Sequence, residues 1–173
     1  MKAVVVYESH WGNTAAVAHA VAEGIGPGAQ ALSTAQASAA VVSAADLIVA
    51  GAPVLGFSLP TDSMLKGLTA NPGGHPTPPD LSHPSMRTWL DALPRGIAGS
   101  TGRPTARSAA FETRISWSPG GATTTIEREL DSAGYRPIAK AARFIVSGKY
   151  GPLRAGELER ARLWGAELAQ LMR

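Results

Sequence analysis

The sequence predicts a doubly wound α/β domain, and three observations carry that expectation. Short apolar runs alternate with segments of helical periodicity along the chain. The runs are continuously apolar, the pattern of strands buried on both faces of a sheet, and not the in/out alternation of half-exposed strands. The chain also opens on a strand, a tight polar loop and a helix, the unit from which parallel sheets are built. A five-stranded parallel sheet with helices on both faces is expected.

Residues 2–7 are a β-branched run and read as the first strand. Asn13 to Ile25 places Val17, Val21 and Gly24/Ile25 on one face, and Gly24, Gly26 and Pro27 read as its stop. A second strand is expected at 29–33, a small Ala/Ser-rich helix at 35–44 and a third strand at 46–51. Thr61 to Leu68 reads as a helix with Thr61 as N-cap. Asn71 to Pro84 then carries five prolines with Gly73 and Gly74, a composition that excludes regular structure and reads as an inserted surface loop or lid. Ser85 to Leu93 returns to helix. Arg107 to Thr113 is the fourth strand, and Ile126, Leu130 and Ala133 mark a helix closed by Gly134. A fifth strand centres on Phe144-Ile145-Val146, and a last helix begins near Gly156. Abundant Ala and Gly imply close helix packing, with Trp89 and Trp164 on apolar faces.

A chain of 173 residues suits one domain spanning 1–173. It buries roughly 70% of its unfolded surface, so no disulfide or metal is required. Cysteine is absent, which excludes thiol catalysis, zinc–thiolate sites and iron–sulfur clusters. The net charge is +3, but the cations are scattered. Arg136/Lys140/Arg143 and Arg154/Arg160/Arg162 read as solvated helix faces, not as a nucleic-acid stripe. The apolar start is too short for a signal segment, and nothing approaches the ~20 apolar residues of a membrane span. A cytoplasmic location is the default.

In a parallel sheet the ligand lies beyond the carboxyl ends of the strands, at the switch point. Three loops meet that condition: Ser9–Thr14, Ala52–Pro60 and Thr113–Gly121. The first has the chemistry of a phosphate site. A helix N-terminus presents unpaired N–H groups and a partial positive charge. Gly12 lets the chain wrap closely, Ser9 and Thr14 add hydroxyls, and Asn13 adds an amide. Helix capping alone would account for some of these residues but does not call for all three polar side chains. The loop contains no Lys or Arg, so neutral dipoles would carry the phosphate charge. A Walker loop is excluded by the missing Lys and glycine spacing, and the dinucleotide fingerprint by the single glycine.

The segment Tyr7-Glu8-Ser9-His10-Trp11-Gly12-Asn13-Thr14 resembles the FMN-phosphate signature of flavodoxins and flavodoxin-like reductases. Gly51-Ala52-Pro53-Val54-Leu55-Gly56-Phe57 stands where the second flavin loop of that family belongs. Phe111-Glu112-Thr113-Arg114, Gly148-Lys149-Tyr150-Gly151-Pro152-Leu153 and the closing Glu157–Ala161 segment resemble small flavodoxin-domain proteins common in actinobacteria. The resemblance implies a strand order of 2-1-3-4-5 and FMN as cofactor. The implied contacts are Ser9, His10, Trp11, Gly12, Asn13 and Thr14, then Ala52, Pro53, Val54, Leu55, Gly56 and Phe57, then Thr113, Arg114, Ser116 and Trp117. It further implies an oxidoreductase for a quinone-like or porphyrinogen-like molecule, linked to NAD(P)H or to a redox partner protein. A one-electron carrier and a flavin-free binding or regulatory module are the alternatives.

Two departures bear on that choice. The second loop lacks the usual Trp or Tyr, leaving Phe57, Trp11 or Trp117 to stack on the flavin, and the chain is basic where carrier flavodoxins are acidic. Gly56 serves either a backbone contact near the flavin N5 or the demand of a tight turn. Arg114 either offsets charge on the reduced ring or forms a surface ion pair. Asp46 and Glu112 show no partner in the sequence, and no catalytic residue is assigned. His75, Asp80 and His83 lack the spacing of a metal site and read as solvated loop.

Overall fold

The computed structural model describes residues 1–70, 75, 77–94 and 106–173. Asn71–Gly74 and Pro76 of the proline-rich segment lie outside the described residues. The central strands are β1 (Ala3–Tyr7), β2 (Ala29–Ser33), β3 (Leu47–Pro53) and β4 (Arg107–Ile115). They pair in parallel in the order β2-β1-β3-β4. The next position in the sheet is shared by two strands, β5 (Arg136–Pro137) and β6 (Ala142–Val146), which pair with the start and the end of β4 respectively. The order 2-1-3-4-5 thus stands, with six strands where five were expected. Only two residues of β5 pair, too few to leave an apolar run in the sequence.

Side-chain alternation along the strands builds two cores. Val4, Val6, Ile48, Ala50 and Ala110 face one side of the sheet, toward Trp89 and Leu90 of α4 (Met86–Asp91) and Ile126 and Leu130 of α5 (Thr123–Ser132). Ala3, Val5, Leu47, Val49, Ala109 and Phe111 face the other, toward α1 (Asn13–Ile25) and α6 (Glu157–Leu171). Two shorter helices, α2 (Ala39–Ser43) and α3 (Asp62–Ala70), complete the described elements. Ser38 and Ser85 cap α2 and α4, and Thr61 Oγ1 accepts from Met64 N–H (3.2 Å) at the start of α3.

Close helix packing is achieved by glycine. A Cβ on Gly24 would lie 2.0 Å from the Arg162 carbonyl oxygen, and one on Gly165 would lie 2.2 Å from that of Val21. Gly24 is therefore a packing residue inside α1, and the stop is Gly26, whose φ of 98° places it in the left-handed region. Trp89 and Trp164 join the two cores, and Trp89 Nε1–H donates to Ala37 O (2.9 Å). Among the described residues no helix is long and apolar enough to cross a membrane.

Candidate functional site

The carboxyl ends of β1, β3, β4 and β6 surround an open cavity of about 240 Å³. The first loop contributes Ser9, His10, Trp11, Asn13 and Thr14. The second contributes Pro53, Val54, Leu55, Gly56 and Phe57, and the third Thr113, Arg114 and Trp117. Three expected residues do not line it. Gly12 turns the chain into α1 with φ 87°, its α-carbon facing open space. Ala52 is a fully buried strand residue packed into the core, and exposed Ser116 accepts a hydrogen bond from Arg154 Nη2 (3.1 Å). Thr113 and Arg114 are strand residues, not loop residues, because pairing with Phe144 and Ile145 of β6 carries β4 on to Ile115.

One end of the cavity is polar and is formed by the first loop and the start of α1. No side chain caps the N-terminus of α1, so its first amides are left to other partners. Ser9 is 7% exposed, and its Oγ has no hydrogen-bond partner. Burying an unpaired hydroxyl is unfavourable, which marks a position where a ligand atom belongs. Thr14 Oγ1 and Thr113 Oγ1 share a hydrogen bond of 2.7 Å, tying the first loop to β4. Asn13 Nδ2–H donates to the Tyr150 carbonyl (2.9 Å), so this side chain braces α1 against the loop after β6.

His10 lines the cavity with its ring already engaged. Nδ1–H donates to Asp80 O (3.1 Å), and Nε2 lies 3.1 Å from Glu8 Oε1 without hydrogen-bond alignment. Glu8 is fully buried and accepts the Met86 N–H (2.8 Å) at the start of α4. The proline-rich segment is a strap on this loop. Asp80 N–H donates to His10 O (2.8 Å), His83 Nε2–H donates to Ser9 O (2.9 Å), and the two imidazoles stack with centroids 5.8 Å apart. The Asp80 carboxyl is held below its usual range by the Ser82 hydroxyl and N–H, with His83 and His10 nearby. None of the described strap residues lines the cavity. The described part of the expected surface loop or lid is thus a brace behind the first loop, because its hydrogen-bonding groups meet the carbonyls of Ser9 and His10. Among the described residues no three His, Cys, Asp or Glu side chains could hold a metal ion.

The other end of the cavity is apolar and aromatic. Leu55 and Ser58 close a two-residue turn through mutual backbone hydrogen bonds (2.9 and 3.2 Å). Its central residues, Gly56 and Phe57, have φ of 54° and 66°. That geometry accounts for Gly56, and it holds a bulky Phe in a region such residues avoid. Phe57 is 56% exposed and Trp117 74% exposed, both lining the cavity. Trp11 is instead packed edge-on against Tyr150 (4.8 Å between centroids), with Nε1–H donating to Thr77 O (3.3 Å). Phe57 and Trp117 are therefore the free aromatic faces.

Behind these loops lies a buried charge network. Glu112, fully buried, accepts from Arg114 Nη1 (2.8 Å) and from the N–H groups of Ala122 and Thr123 (2.7 and 3.1 Å) at the start of α5. Arg143 Nε lies 3.4 Å from the same carboxylate. Arg114 Nη1 also donates to Gly120 O (2.9 Å), and Gly121 N–H donates to Phe57 O (3.0 Å). Arg114 is thus a buried, paired cation that locks the second and third loops together. Burial raises the carboxyl pKa of Glu127 against the lowering effect of the Ala141 N–H, with a smaller push upward from the charge of Glu112. Asp46 also has a partner, the Lys2 N–H (2.7 Å).

Ile115, Ser118, Val146 and Lys149 line the cavity beyond the expected residues. The Gly148-Lys149-Tyr150-Gly151 segment was a visible sequence signal for the last of these. Val146 carried no signal, since it enters by being the last residue of β6.

No family model and no curated protein matches the chain. Solved structures do. A flavodoxin from the domain Archaea aligns at a TM-score of 0.66 and 21% identity, covering 99% of each chain. Oxidised Flavodoxin 1 from Bacillus cereus aligns at 0.65 and 18%, covering 98% of each. A flavodoxin, WrbA-like protein from Agrobacterium tumefaciens aligns at 0.57 and 21%, covering 99% of this chain and 97% of that one. At these identities the likeness speaks to architecture: the chain has the flavodoxin fold.

Proposed function

We propose that this chain is an FMN-binding redox protein, and that it serves as an oxidoreductase for a small quinone-like molecule. One observation carries the reading: a buried, unpartnered Ser9 hydroxyl and an uncapped helix N-terminus share one cavity with two exposed aromatic rings. A ligand with a phosphate at one end and a planar apolar system at the other fits that pairing. FMN has this form, and solved structures similar to the chain include proteins named flavodoxin.

When bound, FMN supplies the electron and hydride chemistry, and the protein supplies binding and electrostatics. Ser9 Oγ and the first amides of α1 would hold the phosphate, with Thr14 and Thr113 fixing the loop's position. Phe57 and Trp117 would flank the ring and displace water from its faces. Arg114 acts at a distance by holding the loops that carry those rings, since its charge is matched by Glu112. The strap lies at the phosphate end, which leaves the aromatic end open to a small second substrate.

Titration of FMN into the purified protein tests the reading. Quenched flavin fluorescence with a perturbed visible spectrum is expected, and full free-flavin fluorescence would overturn it. Turnover of NADH or NADPH with a soluble quinone then separates the enzyme from a one-electron carrier, which would show reduction without multiple turnovers.

A further inference from the structure

We infer that Lys149 is the cation of the phosphate site, and that it makes the cavity prefer a phosphorylated flavin to riboflavin; this rests on the FMN reading above. The first loop holds no Lys or Arg, and α1 offers only the partial charge of a helix N-terminus. A phosphate monoester carries nearly two negative charges at neutral pH. The imidazole of the first loop, His10, gives its Nδ1–H to Asp80 O and has the Glu8 carboxylate 3.1 Å from its Nε2.

Lys149 reaches the site from 135 positions beyond Thr14, on a turn fastened to the phosphate loop. Asn13 Nδ2–H donates to Tyr150 O (2.9 Å), and the Trp11 and Tyr150 rings meet edge to face at 4.8 Å. Gly151 approaches so closely that a Cβ there would lie 2.5 Å from Asn13 Oδ1. Lys149 lines the cavity together with Ser9, Asn13 and Thr14, and its Nζ sits 5.2 Å from the centroid of the Tyr150 ring.

Two Lys or Arg side chains line the cavity, Arg114 and Lys149, and they differ in their charge balance. Arg114 has Glu112, Arg160 has Glu157, and Arg162 has Glu23. Among the described residues no ion pair includes Lys149. Of the nearby carboxylates, Glu8 is turned to Met86 N–H and Glu112 to Arg114 and α5. A solvated ammonium resting on an aromatic face is weakly held and free to swing on its four-carbon stem. A phosphate at the end of α1 gives it a charge-assisted partner that the protein itself does not.

Fluorescence titrations of FMN and riboflavin against the ligand-free wild type, Lys149→Met and Lys149→Arg test this. Methionine keeps the stem's contact with Tyr150 and removes only the charge. FMN affinity is expected to fall about tenfold in Lys149→Met, the loss of one charge-assisted hydrogen bond, and to stay near wild type in Lys149→Arg. Riboflavin affinity should not change. The FMN defect should shrink in 1 M salt, where the screening length is about 3 Å. Equal loss for both flavins, or no loss for FMN, overturns the assignment of Lys149 while leaving the cofactor reading intact. A wild type that binds no FMN overturns both, and one that binds riboflavin equally well overturns the Lys149 assignment alone.

Discussion

Replacing Glu112 by Gln removes one charge and no volume, which isolates what the buried network contributes. In the native protein that carboxylate accepts from Arg114, Ala122 and Thr123, with Arg143 at 3.4 Å. A glutamine keeps one acceptor oxygen, but its amide group carries N–H donors. Arg114, only 7% exposed, would retain the Gly120 carbonyl and lose its counter-charge. Breaking one partner of a buried pair typically costs about 3–5 kcal/mol, because the other charge is left uncompensated. For a chain of this size each kcal/mol lowers Tm by roughly 2–4 °C, so Glu112→Gln should melt about 6–20 °C lower. Arg114→Met alone should also destabilise, by leaving the carboxylate without its nearest cation. The double variant Glu112→Gln/Arg114→Met should lose at least about 1 kcal/mol less than the sum of the two singles. Urea denaturation of all four proteins measures the cycle. A single-variant loss below about 1 kcal/mol, or strict additivity, would refute the claim that these groups act as a buried pair.

Three further outcomes are expected. Gly24→Ala should lower stability by about 1–3 kcal/mol, since the new methyl meets the Arg162 backbone at 2.0 Å, whereas Gly67→Ala in α3, with open space around it, should gain roughly 0.5–1 kcal/mol. Thermal melts of the two variants should therefore move in opposite directions. Phe57→Gly should leave the ligand-free protein within about 1 kcal/mol of wild type, because it relieves a left-handed Phe while adding freedom to the unfolded chain. The same change should weaken FMN binding several-fold in a fluorescence titration. Glu127 has a folded pKa above its usual value, so the folded state holds the extra proton in the window between the two. Its contribution to stability therefore falls as pH rises through that window. Glu127→Gln should remove the fall, and its advantage over wild type in urea midpoints should open above the usual carboxylate range.

Much of this architecture was legible because burial on both faces of a parallel sheet leaves an unmistakable pattern. The runs Ala3–Tyr7 and Leu47–Pro53 are almost wholly buried, and their branched side chains made them legible, although the second continues past its expected end at 51 to Pro53. The polar end of the cavity was legible as well, since Ser9, Asn13 and Thr14 lie close together in the chain. What escaped the reading depends on partners far away in sequence. Arg114 and Ile115 look like loop residues beyond the strand until β6 pairs with them. Glu112 seems isolated because its partners Ala122 and Thr123 are amides, which no side-chain pattern reveals. Pro78, Pro79 and Pro84, the described prolines of the strap, do stand in irregular backbone, but composition does not say which surface an irregular segment will lie against.

That strap has a consequence for the groups it does not touch. Its His83 imidazole and Asp80 amide take the carbonyl oxygens of Ser9 and His10. In a trans peptide the C=O and the following N–H point in opposite directions. Fixing those two carbonyls outward therefore aims the N–H groups of His10 and Trp11 away from the strap. The proline-rich segment acts as a mould pressed on the outside of the loop, setting its dipoles before any anion arrives. Much of the entropy of ordering the first loop is then spent during folding, and less of it would be left to oppose binding of the proposed phosphate.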